Sequence, residues 1–223
     1  MTASKWKPLL LFKQGEVYFI SAAVCTLTAI LLFIAASSMI FAVLSVLFLA
    51  VFLWLCLFFR NPKRAIPDDD SLVLSPADGT VLCVQKDFEE EEHDEPVHRI
   101  AVFLSLFNVH VNRMPVSGTV KHVQIQSGKF YPAFHGQAGR KNHQKSIAIM
   151  SASGLITVRQ IAGLFARRII TDVKTGDHVN RGDIYGMICF GSRVEIVLPG
   201  SVTLCVKKGQ KVKAGISVIG KVG

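Results

Sequence analysis

The chain has 223 residues, is 50% apolar with a mean hydropathy of +0.41, and carries a formal net charge of +9. That hydropathy excludes an ordinary single soluble domain. The excess is concentrated: Val17 to Phe59 contains no Asp, Glu, Lys, Arg or His. These 43 residues match two bilayer crossings of about 20 residues each with a tight turn between them. The turn is expected at Ser37-Ser38, which gives helices over 17–36 and 39–59. Tyr18 and Trp54 stand near the ends of the run, where interfacial aromatics belong. A cleaved signal peptide is excluded by the length of the run. A buried soluble hairpin would need a polar outer face, and this run offers only scattered Ser and Thr.

The expected organisation is a short basic segment (1–16), a membrane-anchoring helical hairpin (17–59) and a β domain (60–223). Lys5, Lys7 and Lys13 precede the hairpin, and Arg60, Lys63 and Arg64 follow it. The positive-inside rule then puts both ends, and the β domain, on the cytoplasmic side of the cell (inner) membrane, with a re-entrant hairpin as the alternative. Residues 60–223 hold 22 Lys and Arg against 15 Asp and Glu. Tethered to a bilayer, such a domain is drawn to anionic headgroups. Nucleic acid is not an expected partner, because no basic helix or interleaved aromatic-basic pattern is present. The five cysteines form no C-x-x-C pair, and none of the histidines has ligand-like spacing, so neither a disulfide framework nor a metal site is expected.

Beyond Pro62 the pattern changes to short Val- and Ile-rich runs separated by Gly, Pro, Asp and Asn. Strands are expected at Leu72–Leu74, Thr80–Val84, Arg99–Leu104, Gly118–Ile125, Ser146–Met150, Leu155–Ile161 and Val194–Leu198, with little helix. The acidic run Glu89–Glu92 reads as a solvated hairpin loop. Val173-Lys174-x-Gly176-x-x-Val179-x-x-Gly182 recurs 33 residues later as Val206-Lys207-x-Gly209-x-x-Val212-x-x-Gly215. These turns resemble those of lipoyl- and biotinyl-type domains. The expected fold is therefore mainly β, a barrel-sandwich hybrid behind a transmembrane helical hairpin.

Near the C-terminus an apolar run breaks at Gly191-Ser192-Arg193 and resumes at Val194. Taken alone this is a strand kink. It gains meaning beside Ser75-Pro76-Ala77-Asp78-Gly79 and the stretch from Phe103 to Pro115, which contains Asn108, His110, Asn112 and Arg113. In this order and spacing the three motifs resemble the short-form, archaeal-type phosphatidylserine decarboxylase proenzymes. The resemblance covers residues 60–223.

The resemblance implies that Ser192 Oγ attacks the Gly191 carbonyl in an N→O shift, and that elimination then frees Gly191 as a carboxylate. Loss of ammonia would leave a pyruvoyl group at position 192. The products, 1–191 and 192–223, would stay together as a heterodimer. The pyruvoyl carbonyl would form a Schiff base with the substrate amine, with no need for pyridoxal phosphate or a metal. Phosphatidylserine would become phosphatidylethanolamine at the bilayer.

His110 is the expected proton-transfer residue. Asp78 is expected to orient its imidazole or to act as the base in cleavage. Arg113, Arg193 and Lys129 are candidate partners for the substrate phosphate. Arg113 stands where longer members carry a second His, Asn142-His143-Gln144 where Asn-Glu-Arg is expected, and Cys189 where the short form commonly has Arg. Two alternatives remain at this level: an ether-lipid (archaetidylserine-type) substrate, and a non-catalytic membrane adaptor with a lipoyl-like domain. Assembly into a homo-oligomer is left open.

Overall fold

The computed structural model describes residues 15–90, 93, 95–164, 168–189 and 191–223. Most of the N-terminal basic segment, including its three lysines, and Phe190 of the Gly-Ser motif lie outside the described residues. The described chain divides between Lys63 and Arg64 into two compact units, one helical and one β.

The helical unit is a hairpin of α1 (Glu16–Ala36) and α2 (Met39–Phe58). The turn falls at Ser37-Ser38, with Ser37 in the left-handed region at φ 48°. Both helices are long and apolar enough to cross a membrane. In α1 only Ala22 and Ala29 are buried, and in α2 only Leu55 and Phe58. Most of the remaining Leu, Ile and Val side chains are exposed, a surface suited to lipid rather than water.

The β unit begins with β1 (Leu72–Leu74), β2 (Gly79–Phe88), β3 (Val97–Leu104), β4 (Val111–Arg113) and β5 (Gly118–Gln126). A four-residue helix, α3 (Ala138–Lys141), precedes β6 (Gln144–Ser151), β7 (Gly154–Ile161) and β8 (Ile169–Thr171). Then come β9 (His178–Val179), β10 (Ile184–Ile188), β11 (Ser192–Pro199), β12 (Thr203–Leu204), β13 (Lys211–Val212) and β14 (Val218–Lys221). All seven expected strands are present. The scarcity of helix also holds, α3 being the only described helix beyond residue 60.

The largest sheet runs β13-β2-β3-β11-β7-β6-β5-β9, and two three-stranded sheets, β1-β14-β12 and β4-β10-β8, complete the unit. Their shared core includes Val81, Ile100, Val102, Ile147, Ile149, Val158, Tyr185, Val194 and Ile196.

An approximate internal symmetry organises this unit. All four glycines of the 33-residue echo are left-handed, with φ of 89° and 84° at Gly176 and Gly182 and 85° and 71° at Gly209 and Gly215. Their turns dock alike. Gly176 N donates to Val120 O and Gly209 N to Val81 O, both at 2.8 Å; Gly182 N donates to Met114 O and Gly215 N to Ser75 O. The acceptors reveal a second repeat: Pro76-x-x-Gly79-Thr80-Val81 recurs as Pro115-x-x-Gly118-Thr119-Val120. Gly79 and Gly118 each start a long strand where a Cβ would sit 2.1 and 2.3 Å from a neighbouring carbonyl oxygen, so only glycine fits.

Strand β11 lies in the middle of the large sheet, paired with β3 on one side and β7 on the other. Ser192, Val194, Ile196 and Leu198 alternate with Arg193, Glu195 and Val197, so the two sets face opposite sides. On the second side the wholly buried Glu195 pairs with Arg193 at 2.5 Å and lies 4.0 Å from Arg99. Glu90, in the acidic loop expected to be solvated, instead forms a two-pronged ion pair with Arg159 at 2.8 and 3.0 Å. His98 is buried in β3. Removing one member of a buried pair strands the other's charge. Glu195→Ala is therefore expected to destabilise the β unit by about 3–5 kcal/mol, measured as a lowered denaturant midpoint of the full chain in detergent. An unchanged midpoint would show that the pair is not needed.

Candidate active site

Gly191 enters β11 with φ +68°, a left-handed conformation that a side chain would disfavour. Ser192 follows in ordinary strand register, opposite Leu104 of β3. Its hydroxyl is wholly buried and finds no hydrogen-bond partner among the described residues. A buried hydroxyl left unpaired costs about 1–3 kcal/mol, so its retention calls for an explanation other than packing.

The Gly191 carbonyl is crowded. A Cβ on Gly163 would stand 2.3 Å from Gly191 O, so the approach of these two segments requires glycine at 163. Sequence reasoning missed Gly163; an isolated Gly just past a strand end is its only signal there.

His110 precedes β4 and is fully buried. Its Nδ1 lies 3.0 Å from Asn108 O, which can only accept, so Nδ1 carries the proton. The Gly191 N–H donates to the other ring nitrogen, Nε2, over a long 3.4 Å. These partners assign the neutral tautomer with its lone pair turned to the Gly191 amide. Asn108 also closes its own turn, accepting from Ser105 N at 2.9 Å and Ser105 Oγ at 2.7 Å. Below the histidine, buried Asn112 accepts from Gln160 Nε2 at 2.8 Å, and Gln160 Oε1 accepts from Thr171 Oγ1 at 2.5 Å. That relay ties β4, β7 and β8 together and fixes the segment that carries the imidazole.

Asp78 is placed differently from the expectation that it orients His110. One carboxylate oxygen accepts from Arg64 Nη2 at 2.8 Å and the other from Ala214 N at 2.7 Å. The symmetry-related Ser117 Oγ accepts from Arg181 N at 3.0 Å. A hydroxyl thus does at one end of the repeat what the carboxylate does at the other. The negative charge of Asp78 is what distinguishes the two places, and it meets Arg64. Arg113 belongs to the same cluster. Its guanidinium donates to Gly182 O at 2.9 Å, and its pKa is lowered first by burial and then by Arg64, against the opposing pull of Asp78 and Asp183.

Of the other candidate phosphate partners, Arg193 is committed to Glu195 and faces a cavity of about 400 Å³ lined also by Arg99, Arg140 and Lys141. Lys129 is exposed, in a bridge to Asn142. The Asn142 side chain is buried and makes three hydrogen bonds: from Tyr131 N, to Tyr131 O and to Ala162 O, all at 2.8–2.9 Å. It braces the 129–142 loop and holds Ala162 next to Gly163. Among the described residues no group of His, Cys, Asp and Glu could hold a metal ion.

Cys189, two residues before Gly191, is buried, and that burial pushes its thiol up to about 11 despite nearby Arg168. It is a neutral thiol near pH 7 and therefore a poor nucleophile. Alkylation of the folded protein at pH 8 should therefore modify exposed Cys205 and spare Cys189. Rapid labelling at 189, located by peptide mass spectrometry, would contradict this placement.

Known proteins share this arrangement of sequence. The phosphatidylserine decarboxylase family profile matches residues 51–220. A phosphatidylserine decarboxylase proenzyme of Carboxydothermus hydrogenoformans is 41% identical over 217 residues, covering 97% of this chain and 98% of that protein. The proenzymes of Syntrophus aciditrophicus (40% identity; 93% and 95% coverage) and Anaplasma phagocytophilum (44%; 73% and 72%) are similar over most of their lengths. The chain belongs to the phosphatidylserine decarboxylase family.

Proposed function

We propose that this chain is a self-processing, membrane-anchored enzyme that decarboxylates phosphatidylserine with a pyruvoyl group made from its own Ser192. The observation that carries the proposal is the buried, unpartnered Ser192 hydroxyl. It follows a left-handed glycine whose N–H rests on the lone pair of His110.

In processing, Ser192 Oγ bonds to the Gly191 carbonyl carbon and the Gly191–Ser192 C–N bond breaks. The hydroxyl proton is taken up by a base and the former amide nitrogen becomes a free amine. His110 is the base we assign, neutral and bonded to the adjoining amide. Removal of the Ser192 Cα proton then expels the Gly191 carboxylate, and hydration of the resulting enamine releases ammonia and leaves the pyruvoyl group.

The surroundings fit that group, because the Ser192 side chain is wholly buried and flanked by glycine backbone at 163 and 191. A pyruvoyl group supplies an electrophilic carbonyl that engages the substrate amine and withdraws electrons as carbon dioxide leaves. His110 then holds the proton needed at the substrate carbon. Asp78 keeps Arg64 and Arg113 in place, and Arg113 and Lys129 remain for the headgroup phosphate, with Arg193 neutralised by Glu195. The helices α1 and α2 span the membrane and hold the β unit at its cytoplasmic face, where a diacyl substrate resides.

Ser192→Ala is expected to stay a single chain and to release no carbon dioxide from carboxyl-labelled phosphatidylserine. Full activity in that variant would overturn the proposal and favour a chemistry, or an adaptor role, independent of position 192. Gly163→Ala should slow cleavage on the order of a hundredfold, since a displacement of about 1 Å at a reacting carbonyl has that effect. The ratio of intact to split chain on a denaturing gel reports it, and wild-type cleavage kinetics would remove Gly163 from the site.

A further inference from the structure

Three loops meet at the Gly191–Ser192 bond, and each carries an exposed apolar side chain. The 105–108 turn presents Leu106 and Phe107, 36% and 71% exposed, and Leu106 Cδ2 lies 3.7 Å from where a Gly191 side chain would begin. The 129–142 loop presents Phe134, 65% exposed, beside buried Ala133, whose Cβ lies 3.3 Å from the Cβ position of Gly163. Gly163 itself leads into Leu164, 48% exposed.

The first two of these loops are braced from within. Asn108 locks the first turn with its two bonds to Ser105, Asn142 braces the second loop, and Phe134 packs edge-on against Phe103 at 6.1 Å. Apolar residues exposed around a buried reactive bond are costly in water and suited to an apolar medium.

The charge pattern of the same region is one-sided. From Pro96 to Thr171, which includes all three loops, there are ten Lys and Arg and no Asp or Glu. Lys129, Arg140, Lys141 and Arg168 lie exposed on or beside these loops. A second copy meeting this face about a two-fold axis would set like charges against one another. An anionic lipid surface would attract them, and its acyl region would accept the aromatic side chains.

We propose that Leu106, Phe107, Phe134 and Leu164 form a rim that seats in an anionic bilayer, so that the lipid reaches position 192 without crossing water. This deepens the function proposed above and rests on its lipid substrate. The rim is a docking element distinct from the anchoring helices, and it sets the orientation of the site rather than its tether.

The test uses the full chain in lipid nanodiscs. With Trp6 and Trp54 replaced by Phe, Phe107→Trp or Phe134→Trp should be quenched by bromine on the lipid acyl chains, and more strongly in anionic than in zwitterionic discs. Unquenched fluorescence overturns the proposal, as does a cross-linked dimer through position 107 in its place. In parallel, the double variant Phe107→Ser/Phe134→Ser should cleave normally and turn over monomeric short-chain phosphatidylserine within twofold of wild type. It should lose at least tenfold in kcat/KM on bilayer-held phosphatidylserine. Equal loss on both substrates overturns the rim. A wild-type chain inactive on both lipids refutes the assigned activity, while the quenching result still decides docking.

Discussion

The reactive peptide is clamped by the sheet on one side only. Gly191 arrives in a left-handed conformation, while Ser192 is already in register with Leu104 and its strand lies between β3 and β7. Two consequences follow. In the proposed cleavage the bond would break with little rearrangement of β11, because the left-handed turn at Gly191 and the close approach of Gly163 lie before the strand begins. The fragment that the proposed cleavage would separate, 192–223, would stay bound, because β11 sits mid-sheet and β13 and β14 pair with β2 and β1. A cut at a loop tip would leave a fragment held by a sheet edge; here it is held by ladders on both sides.

The electrostatics of the unit separate roles by the two faces of β11. The Ser192 face is apolar, and its nearest bonded titratable group is an imidazole whose neutral form is assigned by Asn108 and Gly191. The opposite face takes the ionic load of Arg193, Glu195 and Arg99. Burying charge is costly unless it is paired, and strand alternation directs this pair to the face opposite the Ser192 hydroxyl. Cys189, held as a neutral thiol by burial, fits the same pattern.

Much of this is legible in the sequence. The uncharged run dictates the hairpin and its Ser37-Ser38 turn, because lipid admits few alternatives. The Val and Ile runs mark the long strands, and the Gly-x-x-Val-x-x-Gly echo marks four left-handed turns. Strands β4, β8, β9, β12 and β13, of two or three residues each, and the longer β10 and β14 are not among the expected strands; of the shortest segments only the apolar β1 is. The second repeat, Pro76 to Val81 against Pro115 to Val120, is present as text but gains meaning only once the glycine turns are seen to dock alike. It matters for Asp78, whose bond to Ala214 has a hydroxyl counterpart in Ser117. Of the motif residues, His110 lies against the Gly191 amide, next in the chain to Ser192. The contributions of Gly163, Asn108 and Asn142 depend on which carbonyl lies beside which backbone, and a one-dimensional pattern does not carry that. Arg193 is visibly basic, but its commitment to Glu195 follows from strand alternation only once Glu195 is known to be buried.

The proposed membrane setting ties these parts together. An apolar hairpin, a carboxylate-free stretch of 76 residues and a wholly buried hydroxyl each suit a site that works on a lipid at its own interface. The most direct test is an intact-mass measurement on the purified, active protein. Two chains divided between Gly191 and Ser192 are expected, the smaller roughly 3.5 kDa when scaled from the 24.5 kDa whole, with no free amine at its N-terminus. A single uncleaved chain in protein that still decarboxylates phosphatidylserine would contradict self-processing at Ser192.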